Sequence, residues 1–504
     1  MLKQIIHYRG KRIRYFKRNL LALYQVLFFM PYLGVLSYFI GYQWIYPLIG
    51  QKARNWQIYV LPVVILLGIS LVGITINFIF IRLSIVRSGY FSRVEQQQLL
   101  ARMILDNGYY TKKQVKTSNN GKTKEKIKFP KVYYKAKKGS IFVSFETAGN
   151  KFQDKFETIG GFLETTFHAD NIAKVDEKGF VTYELVTDVY SQRISITEMQ
   201  ADKGKVQLMK NLYWHFDKDP HLLLGGGTGG GKTFTLLALI YALCRVADIE
   251  ICDPKNSDLM ALNRIPMFAG RVHTGKTDII NCLRNTVELM EARFEMMNHS
   301  EEFKMGKNYA YYGLKPKFVI IDEFAAFRAE IGTDYKSDGE VDEYLTQLIL
   351  KARQCGIFFI VAMQRPDGEF IKTALRDQFM FRMSVGRLSE AGILMIFGDE
   401  NKNKKFKFVE KILGQKVYGR GYAAQGGSTA QELYSPQVPM TFDFIYEFIK
   451  INDELGFQPI EAETKEELST TIAKHVDKEA LAEMDEEAKS KNDLLNKLTD
   501  KYVA

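Results

Sequence analysis

Hydrophobic and polar positions follow three different rhythms along the chain. Residues 19–51 and 55–81 contain no Asp, Glu, Lys or Arg, and each run exceeds the roughly 20 residues that cross about 30 Å of hydrocarbon as a helix. They predict a transmembrane hairpin. Residues 140–145 alternate as a half-buried strand does, 154–167 can form a helix, and 180–186 alternate again, predicting a small α/β module. From 204 to about 451 short continuous apolar runs alternate with helix-compatible stretches. Residues 222–224, 248–252, 318–321 and 357–362 read as strands of a parallel sheet, 318–321 as a fully buried one, and 234–243 as the helix after the first of them. The predicted layout is a basic N-terminus (1–18), the hairpin (19–82), a basic juxtamembrane linker (83–138), the small α/β module (139–203), an α/β domain (204–452) and a tail rich in Glu, Lys, Asp and Ala (453–504).

Charge orients the hairpin. Lys3, Arg9, Lys11, Arg12, Arg14, Lys17 and Arg18 precede the first run with no acidic residue among them, and Arg82, Arg87 and Arg93 follow the second. The excess of basic flanks predicts that both chain termini face the cytoplasm and that the connector bearing Lys52 and Arg54 lies outside, with Trp44, Tyr46 and Trp56 at the interface. A secretory signal starts the same way, but the first run is too long for a signal core and a second run follows it. Residues 111–138 are dense in lysine, with Glu125 the sole acid. That composition suits a solvated arm near anionic headgroups or nucleic acid, and equally a plain linker. The net charge of +11 over 504 residues is consistent with a polyanionic partner or with basic arms near a membrane. Cys244, Cys252, Cys282 and Cys355 show no C-x-x-C spacing and have apolar neighbours, so they read as reduced core residues rather than a metal site or disulfide frame. No internal repeat is visible.

The chemistry is carried by glycine. Gly226, Gly227, Thr228, Gly229, Gly230, Gly231, Lys232 and Thr233 fit G-x-x-x-x-G-K-[ST] between an apolar strand and an apolar helix. Such a loop cradles phosphates with backbone N–H groups, while Lys232 reaches the β- and γ-phosphates and the Thr233 hydroxyl can ligate Mg²⁺. A flexible glycine linker would have no reason to end in Lys-Thr at the head of a helix. The strand 318–321 ends in Asp322 and Glu323, at the edge where ligands of parallel sheets bind. Asp322 is expected to hold Mg²⁺ through its water shell and Glu323 to orient or deprotonate the attacking water. The expected reaction is ATP hydrolysis.

Several further motifs follow in order: Pro220-His221 ahead of the loop strand, Asp253-Pro254-Lys255, residues 290–294 (MEARF), residues 321–324 (IDEF), Lys351-Ala352-Arg353 and Gln364-Arg365-Pro366. Over roughly residues 200–450 they resemble the successive motifs of the FtsK/SpoIIIE DNA translocases. The resemblance implies a RecA-like hexameric ring with ATP between subunits, Gln364 as a sensor of the γ-phosphate or water, and Arg353 as an arginine finger, with Arg382 or Arg387 as alternatives. Two predicted spans, a short basic arm and a tail too short for a winged-helix reader depart from the chromosome translocases. They look more like the FtsK-type coupling proteins of Gram-positive integrative conjugative elements, which implies DNA, a relaxase and a type IV secretion channel as partners. Lys402, Lys404, Lys405 and Lys407 form a basic cluster that either follows phosphates in the ring channel or is merely solvated. Competing readings are a chromosome-partition DNA pump, a protein-secretion ATPase, and a DNA or relaxase receptor that uses nucleotide only as a switch.

Overall fold

The computed structural model describes residues 9–42, 57–86, 89–116, 123–137, 139–227, 229–364, 371–402, 404–407, 411–412 and 415–457. The connector with Lys52 and Arg54, the loop residue Thr228, Arg365, Pro366 and the tail beyond residue 457 lie outside the described residues.

Two apolar helices open the chain, α1 (Leu20–Ile40) and α2 (Gln57–Val86). Both are long and apolar enough to cross a bilayer. Large apolar side chains along them are exposed, Leu23, Leu27, Leu67 and Leu71 among them. They pack on each other where small meets large: a Cβ on Gly73 would stand 2.8 Å from the Tyr32 ring, and the Tyr32 hydroxyl donates to the Ile69 carbonyl at 3.0 Å. A third helix, α3 (Tyr90–Asp106), receives the foot of α1. There Lys17 Nζ donates to Gln97 Oε1 at 2.6 Å and the Leu21 N–H to Gln98 Oε1 at 2.8 Å.

α3 also caps the small module. Lys11–Arg12, Val132–Lys137, Ser140–Glu146, Phe180–Thr187 and Ala169–Glu177 form, in that spatial order, an antiparallel sheet. Its inward residues Val132, Val143, Phe145, Val181 and Leu185 bury against Leu100, Ile104 and Leu163. The single helix expected over 154–167 is instead two short ones, Gln153–Glu157 and Gly160–Phe167. The Tyr183 hydroxyl donates to the Phe156 and Glu157 carbonyls at 2.8 and 2.7 Å, turning the chain between them. The lysine-dense stretch contributes a hairpin, Thr111–Lys116 with Thr123–Lys128, where Lys112 pairs with Glu125.

Among the described residues the large domain is built on eight strands: β1 (Leu222–Gly226), β2 (Asp248–Cys252), β3 (Val272–His273), β4 (Lys317–Ile321), β5 (Ile357–Met363), β6 (Phe381–Val385), β7 (Arg420–Gln425) and β8 (Gln431–Tyr434). Their order is β3-β2-β4-β5-β1-β6-β7-β8, parallel up to β6 and antiparallel beyond it. Every residue of β5 is buried, as expected of a strand covered on both faces, where each large side chain contributes about 1.5–3 kcal/mol. A smaller compact unit comprises residues 261–271 and the segment from Asp443 onward. Its helix Phe444–Leu455 is capped by Asp443, seats Phe448 on Phe268 at 5.4 Å, and holds the Met267 N–H on Asn452 Oδ1 at 2.9 Å.

His221 pins the foot of β1. Its Nδ1 accepts the Phe359 N–H of β5 at 3.0 Å and its Nε2–H donates to the Ile349 carbonyl at 3.1 Å, so both ring nitrogens are used by the neutral imidazole. Burial pushes its pKa down to about 4, with Arg353 nearby adding to the effect against the Ile349 hydrogen bond. An unfolded histidine takes its proton near 6.5, so between the two values the unfolded state binds more protons and stability falls as pH falls. The thermal midpoint of this domain is expected to drop between pH 7 and 4, by up to about 3 kcal/mol of stability. In His221→Gln the midpoint should start lower at pH 7 and depend less on pH. An unchanged slope would remove His221 from this role.

Candidate functional site

The loop after β1 is held open by close backbone contact. A Cβ on Gly230 would lie 2.8 Å from the Val385 carbonyl oxygen and 3.0 Å from Gly386 Cα, and Gly386 itself has a φ of +71°. Glycine on both sides lets the end of β6 lie against the loop. The helix α4 (Lys232–Leu243) begins directly at the lysine, and the Thr235 hydroxyl donates to the Gly231 carbonyl at 2.9 Å.

Because β1, β5, β4 and β2 are neighbours, their carboxyl ends bring together residues far apart in sequence. Lys232 Nζ lies 2.9 Å from Asp322 Oδ1 and 2.8 Å from Glu323 Oε2, and Lys255 Nζ lies 3.3 Å from the same Glu323 oxygen. The backbone N–H of Gln364 donates to Glu323 Oε1 at 3.1 Å. Both carboxylates are buried, at 7% and 6% side-chain exposure. Glu323 adopts φ +54°, ψ +61°, an uncommon conformation for a residue with a side chain, at the head of the helix Phe324–Ile331. Burial pushes its carboxyl up, but the Lys232 ammonium, the Gln364 N–H and Lys255 together hold it below the ordinary carboxylate range.

These residues fit a magnesium nucleotide. Among the described residues Asp322 Oδ1 is buried and accepts no hydrogen bond, meeting Lys232 as a charge pair alone. Thr233 stands in the first turn of α4 and lines the same space. The glycines border a cavity of about 1020 Å³ whose lining includes Lys232, Thr233, Lys255, Asp322, Glu323 and Gln364.

Asp253 and Lys255 follow β2 at this same edge, with separate roles. Asp253 is fully buried and accepts the Ser257 N–H at 2.7 Å, a turn-forming task, whereas Lys255 reaches the carboxylates. Arg193, Tyr190, Tyr418 and Ser435 also line the cavity and were missed. They come from segments before β1, before β7 and after β8 that carry no motif. Arg193 is spanned between carbonyls, donating to Ser435 O at 2.7 Å and Tyr418 O at 3.2 Å.

Arg353 lies at the other edge of the sheet. It is exposed, precedes β5, and donates from Nε to the Asp217 carbonyl at 3.1 Å. A seven-residue strand is on the order of 20 Å long, so Arg353 cannot reach the phosphate loop of its own chain. Arg382 is occupied inside the fold, donating to the carbonyls of Phe379 and Ile396, each at 3.1 Å. Arg387 is exposed beside its own loop, with its carbonyl 2.6 Å from a Cβ placed on Gly227.

The lysine cluster is resolved differently from either expectation. Lys404 is buried at 3% exposure, with Nζ 3.1 Å from Glu164 and 2.8 Å from Asp170, and Lys407 donates to the Ala169 carbonyl at 3.3 Å. Asp170 in turn accepts the Glu432 N–H at 2.6 Å. Two of the four lysines therefore tie the segment ahead of β7 to the small module, whose Asp170 also holds β8, while Lys402 and Lys405 are exposed.

Residues 193–313 match the model of the FtsK/SpoIIIE family. The FtsK domain-containing protein YdcQ of Bacillus subtilis (strain 168) is 38% identical over 451 residues, covering 88% of this chain and 91% of the relative. The DNA translocase SftA of the same organism is 30% identical over 226 residues, 40% of this chain and 23% of the relative. Among solved structures, the pCW3 conjugation coupling protein TcpA, in its monomer form with ATPγS, covers 65% of this chain and 94% of its own, at 18% identity and a TM-score of 0.45.

Proposed function

Since this chain belongs to the FtsK/SpoIIIE family and is a P-loop ATPase, we propose that it is a membrane-anchored DNA translocase acting as a hexameric ring, and that it serves conjugative transfer as the coupling protein that hands DNA to a type IV secretion channel. The observation that carries the motor reading is the convergence of Lys232, Asp322, Glu323 and the Gln364 backbone at one sheet edge, with Arg353 at the opposite one. The loop N–H groups and Lys232 bind the β- and γ-phosphates, so Lys232 exchanges its carboxylate partners for phosphate oxygens. Thr233 and Asp322 would hold Mg²⁺, which would supply charge neutralisation for the phosphates. Glu323, relieved of Lys232, takes a proton from the attacking water, and the Gln364 side chain senses the γ-phosphate or that water. Arg353 completes the site of the adjacent subunit.

Membrane anchoring is supported by α1 and α2, and the basic residues on both outer flanks support cytoplasmic termini. DNA as cargo is supported by the family, whose member SftA is named a DNA translocase. The coupling role, with a relaxase and channel as partners, rests on the two-span layout described above.

ATP turnover by the full chain in detergent, with single-stranded, double-stranded and no DNA, tests the reading. DNA is expected to stimulate hydrolysis several-fold, without preference for a short sequence, because phosphate contacts carry no base information. Binding should weaken with salt at a log-log slope of about 0.7–0.9 per neutralised phosphate. Stimulation by protein substrates and not by DNA would point to a secretion ATPase. DNA binding without turnover would point to a nucleotide-switched receptor. Loss of element transfer with normal chromosome partition on gene deletion is the outcome that separates a coupling protein from a chromosome pump.

A further inference from the structure

We propose that Glu250, Cys252, His273 and Cys282 form a structural site for a zinc-class divalent cation, behind the strand edge that carries Lys255 and Asp322. The topology assembles the donors. Glu250 and Cys252 stand two apart on β2 and so share one face of the sheet. His273 pairs with Cys252 across the β2–β3 ladder. Cys282 comes from the helix Lys276–Asn298 that follows β3.

Ligand atoms of Glu250, His273 and Cys282 all lie within 4.8 Å of one another. Cys252 adjoins this set as the ladder partner of His273, two residues from Glu250 on the same strand. Glu250 Oε2 and His273 Nε2 are 3.1 Å apart, close to the ~3.3–3.8 Å between donors that bonds of about 2.0–2.3 Å give in a tetrahedral site. Cys282 is 4% exposed and Cys252 fully buried. With the Cys252 thiol turned in as the fourth donor, two sulfurs, one imidazole and one carboxylate make a set that suits Zn²⁺ and leaves no position open for a substrate.

The outer contacts have the form that orients metal ligands. His273 Nδ1 lies 3.0 Å from Asp278 Oδ1, four residues before Cys282 on the same helix, which leaves Nε2 free to bind the ion. Lys317 Nζ holds Glu250 Oε1 at 2.8 Å, leaving Oε2 toward the site. The site has a mechanical use. β3 is two residues long and pairs with β2 at only two positions, so its ladder holds it weakly, and a metal bond through His273 ties it to β2 and the helix. The Cys252 carbonyl accepts the Asp322 N–H at 2.9 Å, so the same bond stiffens the backbone under the ATPase carboxylates.

The test is elemental analysis of the full chain, purified without a histidine tag or chelator and under reductant, followed by Co²⁺ substitution. About one zinc per chain is expected, with a thiolate-to-Co²⁺ charge-transfer band on substitution, to which Mg²⁺ at the nucleotide site contributes nothing. Cys282→Ser and Cys252→Ser should each lose about half of that band. Cys244→Ser and Cys355→Ser should leave it intact. Glu250→Gln preserves hydrogen-bonding capacity toward Lys317 and His273, so it should fold and still lose metal. A parent chain without zinc and without the band overturns the proposal, as does a band unchanged in Cys282→Ser. Either result leaves the four side chains as an ion-paired cluster beside core thiols.

Discussion

Glu323→Gln is expected to bind ATP and stall, with hydrolysis down by about 10²–10⁴-fold, the usual contribution of a positioned general base. The amide keeps the shape of the side chain and can still accept the Gln364 N–H that Glu323 accepts at 3.1 Å. Asp322 and the loop are untouched, so nucleotide affinity survives. Lys232→Ala should fail differently. It leaves Asp322 and Glu323 as buried neighbouring carboxylates, with Lys255 at 3.3 Å from Glu323 as the remaining cation. Removing one partner of a buried ion pair costs about 3–5 kcal/mol when nothing replaces it, and Lys255 offsets part of that. Nucleotide binding should fall with turnover, and the site should lose thermal stability. Nucleotide trapping and steady-state ATPase separate the two signatures. Parent-rate hydrolysis by Glu323→Gln would move the catalytic carboxylate elsewhere.

Arg353→Ala is expected to lose about 10³–10⁵-fold in turnover, the range seen for arginine fingers, while binding nucleotide normally at its own loop. Arg353 stands before β5 and the loop follows β1, and because these strands are parallel neighbours the two lie at opposite ends of the sheet. Its substitution and Lys232→Ala then damage opposite halves of a shared site. Each alone should be nearly inactive, and mixed assemblies should recover hydrolysis, because some interfaces pair an intact loop with an intact finger. Recovery would show that sites are completed by neighbours, which lets hydrolysis in one subunit bias the next. Mixtures that co-assemble, remain folded and still fail to recover would transfer the role to Arg387 or confine the site to one chain. Arg382 is a poor substitute, since its guanidinium is spent on the Phe379 and Ile396 carbonyls.

The strands β1, β4 and β5 were legible because each is buried on both faces, and burial on both faces writes a continuous apolar run; β2 shows instead as an alternation, with Asp248 and Glu250 half-buried. The phosphate loop and the Asp322-Glu323 pair were legible for a related reason: their chemistry restricts residue type within a few positions. β6, β7 and β8 were not, because Phe381–Val385, Arg420–Gln425 and Gln431–Tyr434 mix polar and apolar residues. Their strand state comes from ladder partners far away in sequence. Arg193 reaches the cavity through its bonds to the Ser435 and Tyr418 carbonyls, more than 200 residues away in sequence.

What the linear chain determined was therefore whatever a local run of residues must satisfy alone: two uncharged stretches long enough for a bilayer, a glycine loop between strand and helix, and carboxylates at the end of a buried strand. The tertiary structure decided the fate of charges and sulfurs whose environment is set by distant partners. Lys404 reads as one more surface lysine until Glu164 and Asp170 enclose it, and His221 as a residue of a motif until two neighbouring elements claim both its nitrogens. Cys252 and Cys282 read as core filler until the β2–β3 register sets His273 beside them. Desolvation makes a lone buried charge costly and a well-partnered one tolerable, and partnership across hundreds of residues leaves no local trace.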